Sequence, residues 1–378
     1  MHTDDHSPPD RADPIPEGVT PRQRCAVGFP LAGLLLAAPL VASAACGEPP
    51  ARRGAEHLEA RAVPLATAQE PTLPATDPLP RPLWLQPGSP ALRHADALRA
   101  EHPDDAALLD RLAAVPTAAW LGGWTRDPKK TVSALVSAAA KAGALPVLVA
   151  YNIPDRDCGQ HSAGGLREAD SYDTWIGAIA AGIGARDAIV VLEPDSLSVV
   201  HCLTDHGLDE RLAMLRRAVA TLATHPGVRV YLDGGHPNSQ PAAVMAERLT
   251  LAGVEGARGF ALNVSNFVST KDNVEYGEDV SRLLGGKSYV IDTSRNGRGA
   301  NGDWCNPFGR GVGEEPTTAP GLPHGDAFLW VKRPGESDGT CHGGPAAGEF
   351  WGGYALELAR RSWQPKLDAV ADGDDGKP

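Results

Sequence analysis

The sequence predicts an α/β fold on a parallel sheet, closed as a TIM-like (β/α) barrel or left as an open wound sheet, and three observations point there. Seven short apolar runs recur along the chain, most of them rich in Val, Ile or Leu, as strands buried on both faces are. Stretches with apolar residues at helical spacing fall between the runs. Polar and acidic residues gather just past the runs, where the C-terminal strand ends of an α/β barrel carry its functional groups.

The elements follow in chain order. Arg22 and Arg24 precede an apolar run over 26–41 that ends in Ala42-Ser43-Ala44-Ala45 and Cys46. A charged flank, a run of this length and a small-residue site make residues 1–46 a secretory leader. An uncleaved membrane anchor is the alternative, although the run is shorter than the ~20 residues of a comfortable span. Cys46 is a candidate lipid anchor, with Ser43 a poor match to that type of signal. Residues 47–82 hold eight prolines in 36 positions and are expected to form an extended linker. The body is 83–370, and 371–378 is a polar tail. A chain of 378 residues allows two domains at ~150 residues each, but leader and linker leave room for one barrel.

Within the body the strand runs are 118–121, 145–150, 188–192, 228–232, 259–264, 289–291 and 327–331. The spacing predicts helices over 131–142, 208–223, 242–251 and 354–363; the second carries a stripe of Leu212, Leu215, Val219 and Leu222. Topology alone then brings Asp157, Asp195, Asp233, Asp292 and Asp338, far apart in sequence, to one rim.

A ring of carboxylates suits either hard cations or glycosidic bond cleavage, which needs one protonated acid and one base. Like charges held close raise one pKa, so such a ring keeps one acid protonated near neutrality. Of the histidines only His236 sits at a strand end, and no His-x-His, His-Glu-x-x-His or Cys-x-x-Cys occurs, so no metal site and no cofactor are expected. His236 reads as a hydrogen-bonded rim residue and Asp292 as structural. Eight tryptophans against six tyrosines and six phenylalanines favour a sugar, whose apolar face an indole covers. Trp120, Trp124, Trp304 and Trp330 lie at or beside strand ends; Trp330 and Trp175 are expected in the core. The net charge of −12 disfavours nucleic acid. In an exported chain, Cys158, Cys202, Cys305 and Cys341 form disulfides, and three pairings remain open.

The segments LVAYNIPDRDCGQHSAGG (148–165), VVLEPDSL (190–197), YLDGGH (231–236), NVSNF (263–267), DTSRNG (292–297), DWCNPFG (303–309) and LWVKRPGESDG (329–339) resemble glycoside hydrolase family 6 of the bacterial endo-β-1,4-glucanase type. The resemblance implies a distorted seven-stranded barrel forming a single catalytic domain that hydrolyses β-1,4-glucan with inversion. Inversion places the carboxyls roughly 6.5–9.5 Å apart, with room for water. It implies Asp195 as general acid and Asp157 as the partner that tunes it. Asp338 is the candidate base, and a water relay near Asp157 and Ser162 is the other. Tyr151 would press the reacting sugar, and Asp233 is a further acid. Trp120 and Trp304 would stack sugars; Lys332, Glu336, His236 and Asn266 would bind hydroxyls. The implied disulfides are Cys158–Cys202 and Cys305–Cys341.

One departure concerns the segment after Asp233, where the family often has a tryptophan that stacks the sugar beyond the cleavage point; here residues 234–249 contain no aromatic. No carbohydrate-binding module is visible, so crystalline cellulose is a doubtful substrate. The stretch between Asp338 and Trp351 is compact and Gly-rich, too short for the loops that roof the cleft in the family's cellobiohydrolases. An open-cleft endoglucanase, secreted and monomeric, is therefore expected, with an exo-acting cellobiohydrolase or a catalytically weak β-glucan-binding protein as alternatives.

Overall fold

Strands form where the apolar runs lie, and their bounds are set by residues that cannot continue a ladder. In the computed structural model, which describes residue 79 and residues 82–363 except 161, they are β1 (Ala119–Leu121), β2 (Val147–Ala150), β3 (Ala188–Leu192), β4 (Val228–Asp233), β5 (Gly259–Leu262), β6 (Ser288–Asp292) and β7 (Gly325–Leu329). The expected leader with Cys46, nearly all of the linker and the tail lie outside the described residues. β2 starts later than the apolar run because Pro146 has no amide to donate. β5 ends early because Asn263 turns to φ 62°.

All seven strands are parallel and ordered as in the sequence, β1 to β7. The sheet curls into a distorted TIM-like barrel. Its edges do not pair as strands; Ala118 N donates to Trp330 O at 3.0 Å and the Trp120 indole N–H to Val331 O at 2.8 Å, which closes the seam. Alternation puts Val149, Val191 and Tyr231, which face one another in register across β2 to β4, inside the barrel. The intervening Leu148, Val190 and Leu232 point outward onto the helices.

Eight helices surround the sheet among the described residues: α1 (Pro90–Leu98), α2 (Pro103–Ala113), α3 (Pro128–Lys141), α4 (Ala169–Ile183), α5 (Asp205–Ala223), α6 (Ala242–Leu251), α7 (Thr270–Leu283) and α8 (Gly352–Trp363). Four of them, α1, α2, α4 and α7, go beyond the helices expected from periodicity. α7 is mostly polar, and Gly277 breaks its stripe for a packing reason: a Cβ there would stand 2.9 Å from the Tyr289 ring, so glycine lets α7 lie close on β6. Helix starts precede the apolar stripes because caps open them, with Asp127, Thr204 and Ser269 accepting first-turn amides. Residues of α1, α2 and α8 cluster around Trp330, which is 2% exposed; Trp175 is buried too.

At the C-terminal end of the barrel, Asp292 is a fully buried junction. Its carboxylate accepts from Ser265 N, Ser294 N, Val331 N and Lys332 N at 2.9–3.1 Å, tying the ends of β5, β6 and β7 together. This is the structural role expected of it. Asp292→Ala orphans four buried amides and is expected to cost about 3–4 kcal/mol, measured as the loss of unfolding free energy in urea. A loss below about 1 kcal/mol would show that water replaces the junction.

Candidate active site

The rim loops run in strained backbone. Among the described residues, the non-glycine residues with positive φ all follow strand ends. They are Asp155, Asp157 and Cys158 after β2, Glu193 and Asp195 after β3, Asn263 and Ser265 after β5, Asn306 after β6, and His342 after β7. Each costs about 1–3 kcal/mol unless the surroundings hold it. What holds them is hydrogen bonding between neighbouring loops.

Glu193, fully buried at the end of β3, accepts from Asn152 N at 2.9 Å and Ile153 N at 3.1 Å in the loop after β2. Asp233, at the end of β4, accepts from Asp195 N at 3.0 Å and from Gly235 N at 3.3 Å. Asp157 accepts from Ser162 N at 2.8 Å, closing its own loop. Arg156 pins that loop by donating to the carbonyls of Tyr151, Ser162 and Ala163, and its guanidinium lies over the Tyr151 ring at 4.4 Å. The structure bonds Cys158 to Cys202, joining the loops after β2 and β3, and Cys305 to Cys341, joining those after β6 and β7.

These loops enclose a cleft with two adjoining lobes. One, of ≈ 490 Å³, is bordered by Asp157, Asp195, Asp338, His236, Asn266 and Trp304. The other, of ≈ 580 Å³, is bordered by Arg156, Arg333, Glu336 and Glu349. Trp120, Tyr151, Ser162 and Lys332 border both and mark the passage between them. Tyr151 is buried and meets the Trp120 ring edge-on at 5.3 Å.

The two central carboxyls are in opposite electrostatic settings. Burial pushes Asp195 up to about 7, with the charges of Asp157 and Asp338 adding and Lys332 opposing. Asp338 is held below its ordinary value: burial opposes ionisation, but Arg295 and Lys332 outweigh it. Arg295 is fully buried and its NH1 is 2.7 Å from Asp338 Oδ2, while Lys332 Nζ is 3.4 Å from Oδ1. Asn306 completes the grip, donating its N–H to Asp338 Oδ2 at 3.1 Å and accepting Asp338 N at 2.8 Å. Burial lowers His236 to about 4, so its ring is neutral at neutral pH, with Nδ1 accepting from Asn238 N.

The structure therefore gathers Asp157, Asp195, Asp338, Tyr151, Trp120, Trp304, Lys332, Ser162, His236 and Asn266 around one lobe. Glu336 borders only the second. Asp233 does not border the cleft: it is 2% exposed and sits beneath Asp195, bound to its amide, with the Asp195 charge and burial raising its pKa. Sequence reasoning passed over Glu193, Arg156, Arg295 and Asn306. All four lie inside the quoted motifs. The clue was there, since a ring of acids with one held ionised requires a nearby buried cation.

Residues 80–362 match the family model described as Glycosyl hydrolases family 6. Endoglucanase A of Cellulomonas fimi is 46% identical over 268 residues, 70% of this chain; the chain spans 59% of that protein's length. Endoglucanase 1 of Streptomyces halstedii is 43% identical over 303 residues, 76% of this chain and 92% of its own. The structure of the endoglucanase Cel6 from Mycobacterium tuberculosis in complex with methyl-cellobiosyl-4-deoxy-4-thio-β-D-cellobioside superposes with a TM-score of 0.71 at 45% identity, covering 75% of this chain and 97% of that one. With a match across nearly all the described residues and relatives of this identity, the chain belongs to glycosyl hydrolases family 6.

Proposed function

We propose that this chain is an exported endo-β-1,4-glucanase that cuts within glucan chains and inverts the anomeric carbon. The observation that carries the mechanism is the pair of carboxyls held in opposite states, Asp195 near 7 and Asp338 below the usual range, on one cleft with Trp120 and Trp304. Asp195, protonated, gives its proton to the bridging oxygen, which leaves on C4 of the departing sugar. Asp338 accepts the proton of the water that attacks C1 from the opposite face. Its two cations keep it ionised yet weaken it as a base, which favours sharing that proton with a water held by Asp157 and Ser162. Asp157 also keeps Asp195 protonated through its charge. Tyr151, packed between Trp120 and Arg156, is the fixed surface that distorts the reacting ring.

Two observations support endo action. Trp304 is 45% exposed and Trp124 58% exposed, so the cleft is open over its platforms. The loop after β7 folds back on itself, with Ser337 N bonded to Glu349 O, Gly348 N to Ser337 O and Trp351 N to Gly335 O. It forms a hairpin beside the cleft. Export accords with the two disulfides, which persist in oxidising compartments.

Asp195→Ala is expected to lower kcat on β-1,4-glucan about 10²–10⁴-fold while oligosaccharide binding, measured by calorimetry, survives. An unchanged kcat would remove Asp195 as the acid, and loss of binding would make it structural. The rate should fall as pH rises through about 7, where Asp195 loses its proton, and the acid-side fall should lie below the ordinary aspartate value of 3.8. Asp157→Asn removes a charge that raises the Asp195 pKa, so its alkaline limb should move to lower pH; a limb that stays put argues against coupling. On soluble carboxymethyl-cellulose, viscosity should drop ahead of reducing-end release, and NMR should find the α-anomer as first product. Sugar release without a viscosity drop would indicate exo action, and a β-anomer would exclude inversion.

A further inference from the structure

Trp124 is the most exposed aromatic side chain among the described residues, at 58%, yet it is rigidly placed. It sits at the corner of a turn just after β1. Thr125 N donates to Gly122 O at 2.8 Å, and Gly122 N donates to Thr125 Oγ1 at 3.2 Å, so the turn is closed from both sides. The indole folds back over Gly122, where a Cβ would stand 2.5 Å from two ring atoms; glycine is what leaves it room. α3 starts directly beyond, capped by Asp127, which fixes the downstream end. Its frame fixes the indole while leaving more than half of it exposed on the border of the cleft, so its free face is available to a ligand.

Its surroundings say what it contacts. Trp124 borders the lobe of the cleft that holds Glu336 and Glu349, together with Trp120. The same two tryptophans border a further hollow of ≈ 340 Å³, with Gln86, Arg126 and Arg333. Trp120 thus borders three hollows in all, and Trp124 the two that lack Asp157, Asp195 and Asp338. The Arg156 guanidinium lies 5.5 Å from the Trp124 ring centroid. A glucosyl unit has an apolar C–H face and a fringe of hydroxyls. The pairing of flat ring with charged fringe found at Trp120 is therefore repeated at Trp124. His236, in the segment after Asp233 that the family resemblance puts on the side of the departing sugar, borders the acid-bearing lobe alone, whereas Trp124 borders the hollows without it, so Trp124 is placed with the sugar that keeps C1. The sugar that keeps C1 extends toward the non-reducing end, so that is the direction Trp124 serves.

We propose that Trp124 is the platform of an additional glucosyl subsite beyond Trp120, so that chains extending past Trp120 toward their non-reducing end are bound in preference. This deepens the endoglucanase reading and rests on it. The test uses a β-1,4-linked glucose pentamer labelled at its reducing end. Filling the extra subsite cuts it to a trimer and a labelled dimer; leaving it empty gives a dimer and a labelled trimer. The ratio of labelled dimer to labelled trimer should fall about five- to tenfold in Trp124→Ala, the loss expected for one uncovered ring face. Trp124→Tyr should keep most of it. The ratio is internal to each reaction, so a smaller folded fraction or a slower rate does not move it. Cleavage by Trp124→Ala with the wild-type ratio overturns the subsite alone. A wild-type enzyme that leaves the pentamer intact overturns the glucanase reading and the subsite together.

Discussion

The rim depends on one recurring interaction, a buried carboxylate at a strand end accepting backbone amides of the adjacent loop. Glu193 at the end of β3 holds the loop after β2, Asp233 at the end of β4 holds the loop after β3, and Asp292 at the end of β6 holds those after β5 and β7. Each bond spans neighbouring strands, so the parallel order of the sheet is also the order in which the loops brace one another. This arrangement holds Asp195 in the left-handed region, while Asp157 is held there by Ser162 N of its own loop. The amides favour the charged form but offset only part of the burial, which still raises the pKa of Glu193, Asp233 and Asp292.

Among Asp157, Asp195 and Asp338, the full counter-charges converge on Asp338. Arg295 and Lys332 both approach Asp338, and Arg295 reaches it as a buried group that also stacks on Phe267 at 4.3 Å. Among the described residues no ion pair reaches Asp195; Lys332 only moderates a rise driven by burial, by Asp157 and by Asp338. Two carboxyls on the same cleft are thereby separated by the allotment of cations rather than by any difference in their own chemistry. In the mechanism proposed above, that separation lets one donate a proton while the other accepts one. Asn306 protects it by gripping both the backbone and the carboxylate of Asp338.

Much of this was legible in the sequence, for identifiable reasons. Strands buried on both faces read as unbroken Val, Ile and Leu runs, and parallel topology sends their following polar residues to one rim, so β1 to β7 and Asp157, Asp195 and Asp338 could be placed from the chain alone. Trp330 and Trp175 were legible as core residues. α7 was not, because its buried stripe, although helically spaced, includes Asn273, Gly277 and Ser281, which do not read as apolar. Asp233 was read as a cleft acid, but one residue of strand direction decides whether an acid faces the cleft or lies under it. Arg295 and Asn306 were missed because their meaning lies in a partner some forty and thirty residues away.

The two lobes of the cleft also differ in how they can hold a sugar chain. Around the acids, Trp304 is the one exposed large aromatic among the described residues, and His236, Asn238, Ser239 and Asn266 offer hydrogen bonds that water offers equally well. Past Tyr151 the indoles of Trp120 and Trp124 provide surface whose burial is favourable in itself. Under the proposed subsite, binding free energy is concentrated on the part of the glucan that keeps C1, where it can be used to press the reacting ring against Tyr151. Beside the acids Trp304 is the remaining platform for stacking, and the other exposed groups there offer contacts that water exchanges. Under the proposed endoglucanase reading, a segment after Asp233 without an aromatic and Trp124 at the far end place the stronger hold on the part of the glucan that keeps C1.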